Sequence, residues 1–437
     1  MTTIENPWVS RFAGLMSLEE IRNRVEVRPE PVPNVRNMSP LKACERIEQA
    51  LQRVFYPSAH CLEFLLQWVT IAWLHSLALY ENHRVFLQGA YQRESPLPEF
   101  FFPWCLTGLA GVGKSALVSA LARLMPKPGT LTTPDETDFP LVSYRAITIR
   151  TCSTTRDILG QLAQREGSVR VLSEFLRRAA YRDGWSLILQ DEFQFATQSE
   201  NASTRVTQMI LAMCYIGVPP VYVANYSLLH KLDKRNQEDR HRLLKKVQIL
   251  HPDSYDTDDW RTLLCWYRDV APKVFTFDPE GDAKAIHNLT AGVKRHVVAL
   301  LTSGFAIALA KSRTVDVSVL ENAYMSRAYA TFRDDVEALA QLHGPFRNRR
   351  KDLWCPVDAV PTTGEDQHWE QQRQMRADVK AMDSSMTVEE RKALAGLSKR
   401  TLASSAEPRK AKVAKIRAEE TDAERLRKNN AWFSAKL

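Results

Sequence analysis

The chain has no Cys-x-x-Cys pair, and its seven cysteines (Cys44, Cys61, Cys105, Cys152, Cys214, Cys265 and Cys355) are scattered and odd in number. That pattern offers neither a disulfide framework nor a zinc site, and it points to a reducing, cytoplasmic compartment. A basic-then-apolar leader is missing from the opening MTTIENPWVSRFAG, so no secretory signal is expected. Clean apolar runs of about 18 residues, the length a spanning helix needs, are also missing. Leu62 to Tyr80 comes nearest, but Glu63, Gln67 and His75 interrupt it, so a buried helix and no membrane association are expected. No internal repeat is found. With 437 residues and 44% apolar content, the chain can fill a sizeable core in two domains, or in one large domain with extensions. Lys and Arg outnumber Asp and Glu by 59 to 51, a net charge of +8, which favours an anionic partner such as nucleic acid.

Against these absences stands one dense signal. Gly108-Leu109-Ala110-Gly111-Val112-Gly113-Lys114-Ser115 fits G-x-x-x-x-G-K-[ST]. Glycines let backbone N–H groups turn inward around phosphates, and the following helix adds its positive dipole end. Lys114 is placed to meet the β and γ phosphates of ATP, Ser115 to offer a hydroxyl to Mg²⁺, and Val112 and Ala116 to complete the cradle. The context agrees with the motif. An aromatic stretch at 100–107 reads as the preceding strand, with Pro103 at its start or edge. Ala116, Leu117, Ala120, Leu121 and Leu124 then mark a helical face that stops before Pro126.

A phosphate loop needs an acid on a neighbouring strand. Leu187-Ile188-Leu189-Gln190-Asp191-Glu192 supplies strand then Asp-Glu: Asp191 would hold the Mg²⁺ shell and Glu192 act as general base. Gln190 interrupts the apolar run, as a strand end tolerates. The next apolar run, Val221 to Ala224, ends in Asn225, a candidate γ-phosphate sensor or an ordinary turn residue. Between Lys234 and Arg242, Arg240 and Arg242 are the preferred pair to reach a neighbouring subunit's γ phosphate, the alternative being a solvated basic helix face. In Gly292-Val293-Lys294-Arg295, Arg295 is placed to reach the nucleotide from above, with Lys294 as the alternative and a capping or surface role as the competitor.

The chain divides into an arm and helical lead-in (1–98), an α/β nucleotide-binding domain (99–255), a helical lid (256–344) and a charged extension (345–437). Pro31, Pro33 and Pro40 suggest an extended arm, with Leu41, Cys44, Ile47, Leu51 and Val54 as one face of the helix after it. Strand and helix alternate from 100 to 250, the mark of a parallel sheet covered by helices. From 256 the pattern is helical, with helices expected at 260–268, 281–289, 293–309 and 317–342.

Together these motifs resemble the AAA+ ATPase class. Within it, Asp191-Glu192-Phe193-Gln194, Asn225-Tyr226-Ser227-Leu228-Leu229 and Arg240-x-Arg242 are similar to transposon regulators of the TnsC/TniB type, over residues 30 to 310. Two features depart from that pattern: Ala224-Asn225 stands where Gly-Thr is usual, and the tail after Pro345 is longer than in the smallest members. The resemblance implies a P-loop α/β core with an all-helical lid, and ATP and Mg²⁺ as cofactors. It implies a ring or helical filament, a hexamer or heptamer, on double-stranded DNA. It also implies partners: a TniQ/TnsD-like target selector and a TnsB-like, or also TnsA-like, transposase. In that family DNA-tracking residues lie near Arg150, Thr151 and Thr155, where a helix cap by Thr154 or Thr155 is the competing role. A replication initiator or helicase loader, or a signalling switch that touches no DNA, would carry the same nucleotide motifs.

Overall fold

A computed structural model describes residues 6–28, 30–134, 137–149, 154–191, 202–341 and 350–357. All of them lie in the compact unit Met1–Asp358. The strands, in chain order, are β1 (Trp104–Gly108), β2 (Gly129–Thr132), β3 (Asp138–Leu141), β4 (Tyr144–Thr148), β5 (Leu187–Asp191), β6 (Pro220–Asn225) and β7 (Lys246–Leu250). Five of them form a parallel sheet in the order β4-β5-β6-β1-β7, and β2 and β3 make a separate antiparallel hairpin. Helices cover the sheet, as fully buried strands such as Leu187–Leu189 require. This is the expected α/β architecture with a helical companion.

The register sets the site. Gly108 pairs with Asn225 and with Leu250, and Thr148 pairs with Asp191. The phosphate loop, Asp191 and Asn225 therefore leave the sheet at one edge, the carboxyl ends where open α/β sheets bind ligands.

Several boundaries differ from the sequence reading. Pro103 has no N–H to give a ladder, so β1 starts at Trp104 and Phe100–Phe102 precede it. The apolar stretch 141–149, which reads as one strand in the sequence, is divided: Leu141 ends β3 and β4 starts at Tyr144. Gln190 is 1% exposed, in register with Ile147 and Tyr222 on its neighbours, and neither of its amide atoms has a hydrogen-bond partner among the described residues. It is a buried polar group within the sheet, not one at a tolerant strand end. The expected helix 317–342 is two helices, Val317–Tyr324 and Ala330–Gln341, around a 3-10 turn at Arg327–Tyr329. Tyr329 is buried at that turn and donates its hydroxyl to the Leu289 carbonyl at 3.0 Å.

The described part of the N-terminal arm before Glu26 is helical and packed, not extended. Helices Pro7–Ser10 and Leu18–Val25 bury Trp8, Ile21 and Val25 in the core of the α/β part. Trp8 stacks on Tyr80 at 5.3 Å, and the Arg11 guanidinium donates to the Gly184 carbonyl at 2.8 Å. The helix Ala59–Leu79 is long and apolar enough to cross a membrane by length and composition, but Leu65, Trp68, Val69 and Ala72 bury it in the same core.

A second hydrophobic cluster joins the helices Asp258–Asp269, Ala283–Thr290, Lys294–Ala310 and Val317–Tyr324. The lead-in helix Pro40–Arg53 belongs to this cluster, through Ala43, Ile47 and Leu51. Leu41, expected on that face, is 87% exposed because the buried stripe runs through i, i+4 and i+8 from Ala43. Residues 350–357, assigned by sequence to the charged extension, pack on this unit. Arg350 pairs with Asp335 at 2.7 Å, and the Trp354 ring lies edge-on to His230 at 4.3 Å.

Candidate functional site

At the carboxyl edge of the sheet a cleft of about 770 Å³ is lined by Gly111, Gly113, Lys114, Ser115 and Ala116 from the loop and by Asp191 and Asn225 from the strand ends. Lys294 and Arg295 close it from the helical cluster. The structure thus brings together most of the residues that the motifs single out.

The loop is shaped by close approach. Gly111 has φ +85°, and a Cβ there would fall 2.6 Å from the Arg295 Cβ. The Arg295 N–H donates to the Gly111 carbonyl at 3.1 Å. The helix Lys294–Ala310 has no side-chain cap at Val293, so a carbonyl of the phosphate loop satisfies one of its first-turn N–H groups. Lys114 is 8% exposed and donates from Nζ to the Gly108 and Leu109 carbonyls at 2.8 and 2.7 Å. A buried ammonium at the start of the helix Lys114–Leu124 makes the loop a site for anions. These residues fit a nucleotide polyphosphate. Ser115 and Asp191, in the same cleft, are an oxygen-ligand set suited to Mg²⁺, which would screen phosphate charge there.

Asn225 occupies the N-cap position of the helix Tyr226–Asp233, yet its side chain makes no capping bond and lines the cleft. Arg240 and Arg242 do not reach this cleft. On the helix Gln237–Leu243 they pair with Asp233 at 3.7 Å and Glu238 at 2.7 Å, and they line a separate cleft of about 620 Å³ beside Phe102 and Lys245. Thr155 begins the helix Thr155–Ala163, but the cap is Thr154, whose hydroxyl accepts from the Asp157 N–H at 3.2 Å. The return bond, from the Thr154 N–H to the Asp157 carboxylate at 2.8 Å, holds that carboxyl below its usual range. Glu192, Arg150 and Thr151 lie outside the described residues.

The wall facing the loop went unread in the sequence. Val54, Tyr56, Leu263, Tyr267 and Val298 form a largely apolar surface beside Glu48 and Gln52. The Tyr56 hydroxyl donates to Asp259 at 2.8 Å, and the other oxygen of that carboxylate accepts from the Ala59 N–H at 2.8 Å. Leu263, Tyr267 and Val298 carry only helical periodicity, which does not separate a cleft wall from a core, and Val54 and Tyr56 follow the end of the helix Pro40–Arg53.

Gly292 joins the two parts. Its φ is +68°, and a Cβ would fall 2.2 Å from the Asp253 carbonyl oxygen. Gly292→Ala is expected to destabilise this junction by about 2 kcal/mol or more. Hydrogen exchange at Asp253 and Gly292 should rise with it, and unchanged protection would show that the backbone yields at no cost.

No family model and no curated protein matches the chain. Solved structures do. The match to the Aeropyrum pernix ORC1 protein in complex with DNA has 18% identity and TM-score 0.34, covering 55% of this chain and 62% of that protein. The match to Drosophila ORC bound to DNA has 15% identity and TM-score 0.40, covering 86% and 87%. The match to domain III of the Thermotoga maritima replication initiation protein DnaA has 13% identity and TM-score 0.33, covering 57% and 90%.

Proposed function

We propose that this protein is an AAA+ ATPase that assembles on double-stranded DNA in its ATP-bound form and regulates DNA transposition, linking a target selector to a transposase. The observation that carries the ATPase part is the meeting of Lys114, Ser115, Asp191, Asn225 and Arg295 in one cleft at the sheet's carboxyl edge. In this reading the loop binds the phosphates, and Lys114 neutralises charge as it builds on them. Asn225 orients the attacking water, and Glu192 takes its proton. When bound, Mg²⁺ would neutralise phosphate charge from Ser115 and Asp191. The apolar wall from Val54 to Val298 would take the base.

The transposition part rests on the resemblance of the segments around Asp191, Asn225 and Arg240 to TnsC/TniB regulators. Arg240 and Arg242 sit away from their own chain's cleft, as a residue offered to a neighbouring subunit would. The net charge of +8 suits a phosphate backbone. Negative-stain imaging with duplex DNA tests the reading: rings or filaments are expected with ATP or a slowly hydrolysed analogue and not with ADP. Assemblies that recruit a replicative helicase and no transposase would point to a loader. A lack of DNA-bound assemblies in every nucleotide state would point to a signalling switch.

A further inference from the structure

The nucleotide motifs leave the run Phe100-Phe101-Phe102 unexplained, since it lies before β1 and outside the sheet. Each of these rings has a cation beside it. The Lys245 ammonium lies 4.3 Å from the Phe102 centroid, the Arg242 guanidinium 5.9 Å from that of Phe100, and the Lys246 ammonium 5.8 Å from that of Phe101 and 4.7 Å from that of Trp104. The ring quadrupole attracts such cations but does not neutralise them. Phe100–Phe102 precede β1 and Lys245 precedes β7, so these rings and cations stand at the amino edge of the sheet, opposite the edge that carries the phosphate loop.

The cleft of about 620 Å³ opens at this edge. Half-buried Phe102, Leu244 and Val357 give it an apolar lining, and the exposed side chains of Arg240 and Lys245 give it positive charge. That charge is incompletely matched. Arg240 and Arg242 pair with Asp233 and Glu238 in partly exposed contacts, the kind that is worth little in water and exchanges readily. Lys245 and Lys246 make no ion pair among the described residues, and burial together with the adjacent Lys245 holds the Lys246 ammonium below its usual value. The frame around them is fixed: the Arg177 guanidinium donates to the carbonyls of Leu97 and Tyr215, each at 2.7 Å, and of Pro98 at 3.0 Å, tying the segment before Phe100 to the end of the helix Ala202–Cys214. Arg242 donates in turn to the Tyr215 hydroxyl at 3.3 Å.

We infer that this cleft is a docking site for an acidic segment of a partner protein: an apolar side chain of leucine or phenylalanine size enters beside Phe102, Leu244 and Val357, and flanking carboxylates meet Lys245, Arg240 and Arg242. An apolar pocket with a few charged groups around it is the usual form of such a site, and carboxylates on guanidinium and ammonium groups make the stronger, charge-assisted hydrogen bonds. Because Arg177 already holds the frame, little ordering opposes binding. Nucleic acid suits the cleft less well. Asp233 and Glu238 would face its phosphates, and the cations over Phe100 and Phe102 already take one face of each ring that bases would need for stacking. Where Arg240 and Arg242 also serve a neighbouring subunit, as proposed above, a filled cleft withholds them, and the acidic segment and that subunit compete for one face.

The test is fluorescence anisotropy of the full chain with a labelled synthetic peptide, Glu-Asp-Glu-Leu-Phe-Asp-Asp-Glu. A dissociation constant of about 10–100 µM is expected, weakening as salt is raised. Lys245→Glu should weaken binding by about tenfold or more, because attraction becomes repulsion, and Val357→Asp should do the same by setting a charge against the apolar anchor. The counterpart with every Glu and Asp replaced by Gln and Asn, and the counterpart with Ser-Ser in place of Leu-Phe, should each bind about tenfold more weakly or less. No binding of the acidic peptide, equal binding of all three peptides, or binding indifferent to both substitutions would overturn the inference. A single-stranded oligonucleotide of equal charge that binds more tightly than the peptide and is lost with Lys245→Glu would assign the cleft to nucleic acid and overturn it too. If Val357→Asp does not fold, Lys245→Glu, at an exposed position, decides alone. If the peptide binds and assembly on DNA is undiminished, the docking site stands and the role of Arg240 and Arg242 toward a neighbouring subunit falls.

Discussion

Lys114→Ala is expected to raise the dissociation constant for ATP by about 100-fold or more and to abolish ATP-dependent assembly on DNA. The ammonium is buried and donates to two carbonyls of its own loop, those of Gly108 and Leu109. Phosphate oxygens entering the cradle would exchange neutral acceptors for charged ones, and charge-assisted hydrogen bonds are the stronger kind. Alanine removes the only long cation that the loop itself supplies, since its other residues are glycines and small apolar or hydroxyl side chains. The variant should remain folded: a buried charge is deleted, and Val112, Leu117 and Leu121 still fill the surrounding core. Calorimetry with ATP, alongside a thermal melt, separates the two effects. A folded variant that binds ATP as tightly as the parent chain would remove the phosphate role from this loop.

The loop, the strand ending in Asp191 and the strand ending in Asn225 were legible because each combines a local pattern with a fixed polar residue at its end. Chemistry and secondary structure there point the same way. β7 was missed because Lys246 and Gln248 dilute its apolar run. Gln248 is nonetheless buried, its amide oxygen accepting from the Trp68 indole at 2.7 Å, a pairing across distant sequence that no window can see. The arm misled for a related reason. Prolines at 31 and 33 do mark irregular chain and Pro40 opens a helix, but Trp8, Ile21 and Val25 before them found a core to fill. Arg240 and Arg242 are a third case: sequence order places them after the strand that carries Asn225, but they line a cleft separate from the one that holds Lys114. The apolar wall of the cleft carried no signal that sets it apart from core, because a residue against a ligand and a residue against a helix obey the same periodicity.

Glu192→Gln should slow ATP hydrolysis by about 100- to 10,000-fold, the usual share of a general base, with ATP binding retained. Asp191 ends β5 in register with Thr148 and lines the cleft, and Glu192 is the next residue of the sequence. Two acids in succession can divide the work, one serving the Mg²⁺ shell and one taking the proton of the water. Glutamine keeps the volume and one acceptor oxygen but cannot take the proton at neutral pH. Hydrolysis should therefore stall after binding, and DNA-bound rings or filaments formed with ATP should persist where those of the parent chain disassemble. Phosphate release and the lifetime of assemblies on DNA are the two measurements. Slow release with long-lived assemblies would tie disassembly to the chemical step, and slow release with rapid loss from DNA would show that binding energy alone governs the assembly. Hydrolysis at the parent rate would place the base elsewhere.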